Sequence, residues 1–494
     1  MRKISFYFPK TFLSFTLIYL LLPGLVWAEN GAANCMQNDL QRALLCYLAY
    51  DDQIENNLEY ISAGSDGDNP EVDVITYRLT SQRWPQGSKE ILNNNIWQHT
   101  VKIYQPKNVI RDTALLYING GVRNSISDNP PSSSQSEQIR FGEIAKKSGA
   151  IVIDLQDVPN QFLYFEGDTG PRKEDGIIAY SYNKVLENPL ENAFWAGHLP
   201  MVKSVIKTMD ALQGVYSDRN TVSIKHFVVS GCSKRGWAAW LTALSDDRVS
   251  ALIPFVIDAL NTLENIRHIE NIYEGKWPPA LKDYESQGVL DKLENPKMQM
   301  LLKIEDPLSY LVCDSCEAYH ARYQIPKYIV NASGDDFFLP DSSQFYFSKL
   351  PGENLLRYVP NSSHYINKTI VSDALEAFFI SELDKQLRPK LSWVLQDDSI
   401  TLQVDQKPTK LILWLAHNEK ARDFRFNQYP EGQGNIRFVP IAVDFTSQTE
   451  TNTLVVPLPN IDIGWQAAFL EATFEKEGMP LVLTTEIAIR GAKE

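Results

Sequence analysis

The sequence has few positive charges for its length. Its 494 residues include 47 lysines and arginines against 61 aspartates and glutamates, so the formal net charge is −14. Binding to nucleic acid or to anionic lipid needs clustered cations that neutralise phosphate groups. We therefore expect no nucleic-acid partner and no electrostatic attachment to a lipid surface. The hydrophobic fraction of 44% excludes a disordered chain and predicts a well-formed core.

Long apolar runs are absent after the N-terminus. The one such run, over residues 12–25, follows three cations and ends near Ala28. This arrangement is typical of a secretory signal peptide, and we predict that residues 1–28 are removed by cleavage. The run is short for a membrane span of about 20 residues, which disfavours the alternative of an uncleaved anchor. The expected location is periplasmic or secreted, with no stable membrane insertion after cleavage.

Cysteine is scarce, with five residues in all. In an exported protein Cys35 could pair with Cys46, and Cys313 could pair with Cys316, because an oxidising compartment preserves disulfides. The second pair could instead be redox-active or form half of a metal site, but no second Cys-x-x-Cys and no nearby histidine pair completes a zinc set. Cys232 is left over and is interpreted as a buried small hydrophobe. We expect no metal and no other cofactor.

Short apolar segments alternate with helical ones between residues 70 and 390. The alternation indicates an α/β fold, in which a mostly parallel sheet is covered by helices on both faces. The helical spacing is clearest over residues 199–212 and 236–244. The predicted strands are 97–104, 114–118, 151–153, 226–229, 252–257, 327–330 and 355–359.

The pattern changes twice along the chain. Residues 262–320 are richer in charge and helix formers, which predicts a helical cap inserted into the α/β domain. From about Leu391 onward, strand-like segments are separated by turns and no long helical pattern occurs. This favours a small antiparallel module resembling a β-sandwich. The strands predicted in this module are 391–395, 400–404, 410–415, 453–458 and 481–488.

The segment that follows strand 226–229 carries the most informative motif. It reads Ser-Gly-Cys-Ser-Lys-Arg-Gly-Trp and places Ser233 at a sharp turn between a strand and a helix. This is the context of a nucleophile elbow, in which a strained turn lifts a serine oxygen above the edge of the sheet. The motif departs from Gly-x-Ser-x-Gly because Arg235 stands at the second glycine position and Gly236 comes one residue later. Taken alone, a Gly-x-Ser turn is more often structural.

Two later loops supply partners for the serine. In α/β serine hydrolases the acid follows a late strand and the histidine follows the last one, in the order serine, acid, histidine. Asp335 follows strand 327–330 and His364 follows strand 355–359. We expect Asp335 to orient His364 and His364 to act as the general base. Asp336 and Asp258 are alternative acids.

Stabilisation of an oxyanion needs two N–H donors. The Lys234 N–H is one candidate, because it follows the nucleophile. Gly120 and Gly121 follow strand 114–118 and are candidates for the second donor, although an ordinary tight turn would also explain them. The Lys234 ammonium could face the oxyanion or pair with a surface acid.

Several strings of residues between 75 and 430 are similar to one known family. On these strings the chain resembles the PhoPQ-activated pathogenicity-related proteins, which include autocrine proliferation repressor-like proteins. The resemblance implies an exported α/β-hydrolase-like protein with a β-rich C-terminal module. The family's usual Gly-Asp-Glu-Phe-Phe favours Asp335 over Asp336 as the acid. The strings lie at residues 157–161, 172–175, 199–203, 233–237, 334–343 and 421–425.

A shorter resemblance concerns the elbow alone. Gly231-Cys232-Ser233-Lys234-Arg235-Gly236 is similar to the Gly-Cys-Ser-Arg-x-Gly of glucuronoyl esterases, in which the cation after the nucleophile assists the oxyanion. Lys234 replaces that arginine and cannot form its bidentate contact.

Taken together, these patterns predict a signal peptide over 1–28, an α/β-hydrolase domain over 29–390 and a β-rich module over 391–494. The expected activity is hydrolysis of a small-molecule ester or a peptide substrate through a Ser-His-Asp triad. The alternative is a non-catalytic binding or signalling protein on the same scaffold, because a fold alone does not establish activity.

Overall fold

A computed structural model describes residues 35–85, 94–122, 138–217, 223–313, 316–426, 436–445, 452–476 and 478–492. The signal peptide predicted over residues 1–28 lies outside the described residues. Among the residues that are described, no helix combines the length and the apolar character that a membrane crossing requires.

A nine-stranded mixed sheet forms the centre of the larger domain, with the strand order β1-β2-β3-β5-β4-β6-β7-β8-β9. The first three strands pair antiparallel, and β3 also pairs antiparallel with β5. All later pairings, from β5 to β9, are parallel. The strands are β1 (Asn57–Ser65), β2 (Val72–Arg83), β3 (Ile96–Pro106), β4 (Thr113–Ile118), β5 (Val152–Leu155), β6 (His226–Cys232), β7 (Val249–Phe255), β8 (Lys327–Ala332) and β9 (Asn354–Val359).

Helices cover both faces of this sheet. Parallel strands of such a sheet are buried on both sides, as strand β4 illustrates. Its Leu116 packs into one apolar cluster with α4 (His198–Ser217) and α5 (Lys234–Ser245), whereas its Leu115 packs into another with α2 (Phe141–Ser148) and α10 (Lys368–Leu383). Helices α6 to α9 lie between β7 and β8 in the chain; α6 to α8 fall within the segment 262–320 that was predicted as a cap, and α9 extends two residues beyond it. The helices are α1 (Ala43–Ala49), α2 (Phe141–Ser148), α3 (Asp175–Glu187), α4 (His198–Ser217), α5 (Lys234–Ser245), α6 (Thr262–Ile272), α7 (Lys282–Ser286), α8 (Pro296–Glu305), α9 (Glu317–Arg322) and α10 (Lys368–Leu383).

Two antiparallel sheets form the C-terminal module. One has the order β10-β11-β14, and the other has the order β13-β12-β15-β16, with β17 also paired to β15. Ile400 and Leu402 from the first sheet share a buried cluster with Leu413 and Leu470 from the second, as in a sandwich. The strands are β10 (Leu391–Leu395), β11 (Ser399–Val404), β12 (Lys410–Asn418), β13 (Val439–Ala442), β14 (Thr453–Pro457), β15 (Trp465–Lys476), β16 (Met479–Thr484) and β17 (Ala488–Gly491).

The predicted fold class is confirmed, while individual strands differ. The segment 481–488 was expected to be one strand, but the structure divides it between β16 and β17, which both pair with β15. Strand β15 itself is not predicted from the sequence, because Ala, Glu, Leu and Lys dominate it and favour a helix. Pairing with three neighbouring strands overrides that local preference.

The cysteines are arranged much as expected. Disulfides join Cys35 to Cys46 and Cys313 to Cys316. Cys232 is free, but it is half-buried rather than fully buried. Its Sγ lies 3.1 Å from the Tyr117 hydroxyl, because β6 and β4 are adjacent in the sheet.

Candidate active site

Ser233 occupies a strained turn between β6 and α5. Its backbone has φ 57° and ψ −131°, a region that a residue with a side chain adopts only when its surroundings enforce it. A Cβ atom on Gly231 would lie 2.8 Å from the Arg235 backbone, and one on Gly236 would lie 2.9 Å from the Gly231 oxygen. Only glycine therefore fits at these two positions. The Ser233 N–H donates to the Phe255 carbonyl at 2.8 Å, which fixes the turn against β7.

Arg235 has a structural reason for standing where the usual motif has glycine. Its Nε donates to the Val158 carbonyl at 2.6 Å, and its guanidinium bonds the Glu174 carboxylate at 2.6 Å. The side chain also lies against Gly120, where a Cβ atom would be 2.7 Å from the guanidinium. The helix–strand contact that the second glycine usually permits is provided by Gly236, one residue later.

The candidate acid and base are hydrogen-bonded to each other. The His364 Nδ1 lies 3.0 and 2.9 Å from the two carboxylate oxygens of Asp335, and both side chains are buried. Asp335 Oδ1 also accepts the Phe337 N–H at 2.7 Å. The Gly334 N–H donates to the Ser362 carbonyl at 3.0 Å, so the loops after β8 and β9 are tied together. This pairing leaves the other ring nitrogen of His364 for proton transfer.

Phe337 connects the candidate base to the cavity that Ser233 lines. The ring of Phe337 lies 4.4 Å from the His364 ring, and Phe337 and Ser233 line one cavity. Among the described residues no hydrogen bond joins the Ser233 hydroxyl to His364. Such bonds are often long in ligand-free enzymes and shorten when substrate binds.

The other two candidate acids have different surroundings. Asp258 accepts hydrogen bonds from the hydroxyls of Tyr346 and Tyr358 at 2.7 and 2.6 Å, and its complete burial raises its pKa to about 7. The pKa of Asp336 is also raised, first by burial and then by the charge of Asp335. In the part of the chain that is described, Asp335 is the candidate whose carboxylate bonds the His364 ring.

The loops after β8 and β9 together contain the one grouping of potential metal ligands found among the described residues. Asp335, Asp336 and His364 each place a ligating atom within 4.8 Å of the others. The His364 Nδ1 and the Asp335 carboxylate already satisfy each other there. The arrangement is therefore accounted for by the acid–histidine pair.

The candidate oxyanion donors differ in availability. The Gly120 N–H donates to the Asn119 side chain at 2.9 Å and is therefore occupied. Within the described ranges, the backbone N–H groups of Lys234 and Gly121 have no acceptor. Lys234 also begins α5, whose N-terminus favours negative charge nearby. We therefore regard Lys234 and Gly121 as the better pair of donors.

The Lys234 ammonium pairs with acids in the cavity wall. It lies 2.9 Å from the Glu174 carboxylate and 3.1 Å from the Asp175 carboxylate, and it is buried. Burial opposes ionisation of Glu174, but the charges of Arg235 and Lys234 outweigh burial and lower the pKa of Glu174 to about 2. The sequence allowed the Lys234 ammonium either to face the oxyanion or to pair with a surface acid. In the structure it pairs with acids, and these acids lie beside the candidate site and not on a remote surface.

Gln161 and Glu174 are the site neighbours that sequence reasoning did not assign. The Gln161 amide donates to the Gly121 carbonyl at 2.7 Å and to Glu174 at 2.9 Å, and its oxygen accepts the Glu174 N–H at 2.8 Å. The available signal was their place in the strings 157–161 and 172–175. Both strings contact Arg235, which belongs to the string 233–237: Val158 and Glu174 accept its hydrogen bonds.

A cavity opens beside Ser233 under the cap helices. It has an empty volume of about 770 Å³, counting the part that is open to solvent. Its walls are largely aliphatic and aromatic, with few polar groups. The polar side chains that line it are Asp175, Tyr182, His198, Ser233, Lys234, Thr262 and Tyr284.

The C-terminal module contacts the acid loop directly. The Phe426 N–H donates to the Gly334 carbonyl at 2.8 Å, and Arg422 is paired with Asp341. The Nε2 of His268 lies 3.1 Å from the same Asp341 carboxylate, so α6 also contacts the loop that carries Asp341.

The sheet order, the strained serine turn and the acid–histidine pair at the carboxyl ends of the parallel strands define an α/β-hydrolase-like protein. The chain belongs to the family of PhoPQ-activated pathogenicity-related proteins, whose pattern it matches over residues 47–425. It is also 34% identical over 435 residues to autocrine proliferation repressor protein A of Dictyostelium discoideum, covering 83% of each chain.

Solved structures with a similar chain path are more distant. An acetyl xylan esterase from Paenibacillus sp. R4 is 12% identical, with 70% of this chain and 95% of that chain covered and a TM-score of 0.45. A glucuronoyl esterase from Solibacter usitatus is 11% identical, with 73% and 95% covered and a TM-score of 0.39.

Proposed function

We propose that this protein is an exported serine hydrolase that cleaves an ester or amide bond. The observation that carries the proposal is the buried Asp335–His364 pair, which contacts Phe337 in the wall of the cavity that the strained Ser233 also lines. Strain and burial both cost free energy, and such costs concentrate at functional sites.

In the proposed mechanism Ser233 Oγ attacks the carbonyl carbon of the substrate. His364 Nε2 takes the hydroxyl proton, while its Nδ1–H remains bonded to Asp335. The carbonyl oxygen becomes an oxyanion that the N–H groups of Lys234 and Gly121 stabilise. When the tetrahedral intermediate collapses, the bond to the leaving group breaks and His364 gives that group the proton. Water then attacks the acyl-enzyme by the same route and releases the acid.

The buried ion cluster beside the elbow has a supporting role in this proposal. Glu174 holds Lys234 and Arg235, the two residues directly after the nucleophile. It thereby orients the first turn of α5, from which the Lys234 N–H projects. We regard Glu174 as a positioning residue.

Export is proposed on two grounds. The first 28 residues have the pattern of a cleaved signal, and the two disulfides suit an oxidising compartment. N-terminal sequencing of the mature protein tests this directly, and an N-terminus at or before residue 12 would contradict it.

The decisive test is labelling of purified protein with a fluorophosphonate probe, which reacts with an activated serine. We expect labelling of the wild type and none of Ser233→Ala or His364→Ala. Circular dichroism and thermal melts would show that the variants remain folded. A folded wild type that does not react would overturn the proposal.

A second candidate is a non-catalytic signalling protein on this scaffold. The 34% identical relative is named a proliferation repressor, and no Ser233–His364 hydrogen bond is formed among the described residues. Under this candidate the labelling experiment gives no signal, and Ser233→Ala retains whatever biological activity the wild type has.

A further inference from the structure

Two side chains that line the cavity beside Ser233 each carry a polar atom that the protein leaves unsatisfied. They are the hydroxyl of Tyr182 and the Nε2 of His198, which have no hydrogen-bond partner among the described residues. Both side chains are more than nine-tenths buried, and both line the cavity. Unsatisfied buried polar atoms cost free energy, so their presence in an otherwise apolar wall calls for a ligand that satisfies them.

His198 is held in a fixed orientation. Its Nδ1 lies 2.6 Å from a carboxylate oxygen of Glu305, which is fully buried at the end of α8. Its ring stacks on the Trp237 ring, with 4.8 Å between the centroids. When the Nδ1 carries the ring proton and donates it to Glu305, the Nε2 of the ring is an acceptor. The proposed mechanism at Ser233 does not use this histidine–glutamate pair.

Tyr182 is close to the same carboxylate. Burial raises its pKa well above the usual value, and the charge of Glu305 is the next contribution, before those of Asp175 and Asp306. At neutral pH the group therefore remains a hydroxyl that can donate. The ring lies 6.1 Å from that of Tyr284, which lines the same cavity but donates its hydroxyl to Asp175 at 3.0 Å.

His198 packs against the helix that begins directly after the nucleophile. Trp237, on which His198 stacks, is one helical turn beyond Ser233 on α5, or about 6 Å along the helix axis. The cavity wall is largely apolar and includes Ile257, Leu290 and Met298. A group that extends from the Ser233 oxygen into this cavity therefore meets mainly apolar side chains, with His198 and Tyr182 among the few polar ones.

We propose that this cavity binds the apolar part of the substrate and that His198 and Tyr182 receive a hydroxyl group carried by that part. A hydroxyl matches both atoms, since it donates to His198 Nε2 and accepts from the Tyr182 O–H. The substrate class is thus an ester or amide whose buried portion is a hydrocarbon chain or ring carrying a distal hydroxyl. This inference rests on the proposed hydrolase function, but the binding that it describes does not require turnover.

The experiment compares matched esters. We would measure kcat/KM for para-nitrophenyl hexanoate, octanoate and decanoate, and for the same esters with a hydroxyl on the terminal carbon. In a uniformly apolar cavity the hydroxyl lowers kcat/KM at every length, because it is desolvated without a partner. We expect one length at which the hydroxylated ester is hydrolysed at least as well as its parent. A penalty of tenfold or more at all three lengths would overturn the proposal.

Tyr182→Phe and Tyr284→Phe provide the matched pair of variants. Removing the Tyr182 hydroxyl should reduce the preference for the hydroxylated ester about tenfold, the loss expected for one hydrogen bond, without lowering the melting temperature. Tyr284→Phe removes a hydroxyl that is already bonded, so it should leave the ratio between the two esters unchanged. Equal ratios in Tyr182→Phe and the wild type would contradict the assignment.

A binding measurement separates this inference from the hydrolase proposal. Thermal-shift titrations of Ser233→Ala with 1-hexanol, 1-octanol and 1-decanol, and with the matching terminal diols, need no activity. A diol that binds better than its alcohol, with the difference abolished by Tyr182→Phe, supports the site even if the fluorophosphonate fails to react. Diols that bind more weakly at every length would overturn the site even if the enzyme is active.

Discussion

Arg422 of the C-terminal module forms an ion pair with Asp341, which lies six residues after the candidate acid Asp335. The same carboxylate is bonded by His268 of α6, and Arg422 lies over the Trp465 ring at 5.8 Å. One buried carboxylate therefore connects the cap segment, the acid loop and the β-rich module. The pKa of Asp341 is lowered, because the contacts with His268 and Arg422 outweigh the opposing effect of burial.

This connection predicts that the β-rich module supports the active site. Arg422→Ala leaves Asp341 with a buried charge and one partner fewer, so we expect a loss of about 3 kcal/mol in the free energy of unfolding. We also expect slower fluorophosphonate labelling, because the acid loop is less firmly held. Arg78→Ala is the control, since Arg78 and Glu59 form an exposed pair whose loss costs about 0.5 kcal/mol or less. Wild-type stability and labelling in Arg422→Ala would refute the connection.

One set of variants distinguishes which of the three candidate acids, Asp335, Asp336 or Asp258, supports His364. Asp335→Asn preserves the shape of the side chain but removes the charge that orients His364, and we expect labelling or turnover to fall about 10⁴-fold. Asp336→Asn and Asp258→Asn should retain labelling within about tenfold, because neither carboxylate bonds the His364 ring. Rate constants for probe labelling decide between them. A loss confined to Asp258→Asn or Asp336→Asn would transfer the role to that residue.

Asp258 gives the fold a dependence on pH. Burial raises its pKa from 3.8 to about 7, so the folded protein holds this proton more tightly than the unfolded chain does. The resulting stability is fully present below about pH 4 and is lost as the pH rises through about 7, an effect of at most about 4 kcal/mol. Thermal melts between pH 4 and 8 should therefore show a decline that Asp258→Asn reduces.

Tyr358→Phe supplies the complementary test of Asp258. The Tyr358 hydroxyl donates to the Asp258 carboxylate at 2.6 Å and favours its ionised form. Its removal should destabilise the protein more at pH 8 than at pH 5. A pH-independent cost in Tyr358→Phe, together with an unchanged slope in Asp258→Asn, would show that Asp258 is not the titrating group.

The contribution of Glu174 to stability depends on pH in the opposite direction. Its pKa is lowered from 4.5 to about 2, so its contribution to stability is present above about pH 4.5 and is lost as the pH falls toward 2. Glu174→Gln should cost about 3 kcal/mol at neutral pH, because Lys234 and Arg235 lose a partly buried partner. The difference in melting temperature from the wild type should shrink on acidification.

The matched control for this variant is Glu264→Gln. Glu264 pairs with Arg267 on the exposed side of α6, and surface pairs contribute little. Probe labelling would also slow in Glu174→Gln but not in Glu264→Gln, since Glu174, unlike Glu264, pairs with the first two residues of α5. Equal effects of the two variants would remove Glu174 from the site.

Much of the architecture could be predicted from local patterns. Apolar runs such as those of β4, β6 and β8 are recognisable because a strand buried on both faces has almost no polar residues. The sequence also predicts that Ser233, Asp335 and His364 each follow a strand of the sheet, and in the structure they follow β6, β8 and β9. Strand β15 could not be predicted, since its helix-favouring residues become a strand only through pairing with β12, β16 and β17.

The sequence by itself determined which residues reach the carboxyl edge of the sheet, because strand and turn chemistry is local. It also determined that Gly231 and Gly236 flank Ser233. Only the tertiary structure decided that Lys234 pairs with Glu174 and Asp175, and that His198 and Tyr182 share one cavity with the nucleophile. These contacts join segments that are distant in the chain. The partners of such side chains depend on how the helices and strands pack together, and local sequence patterns do not predict that packing.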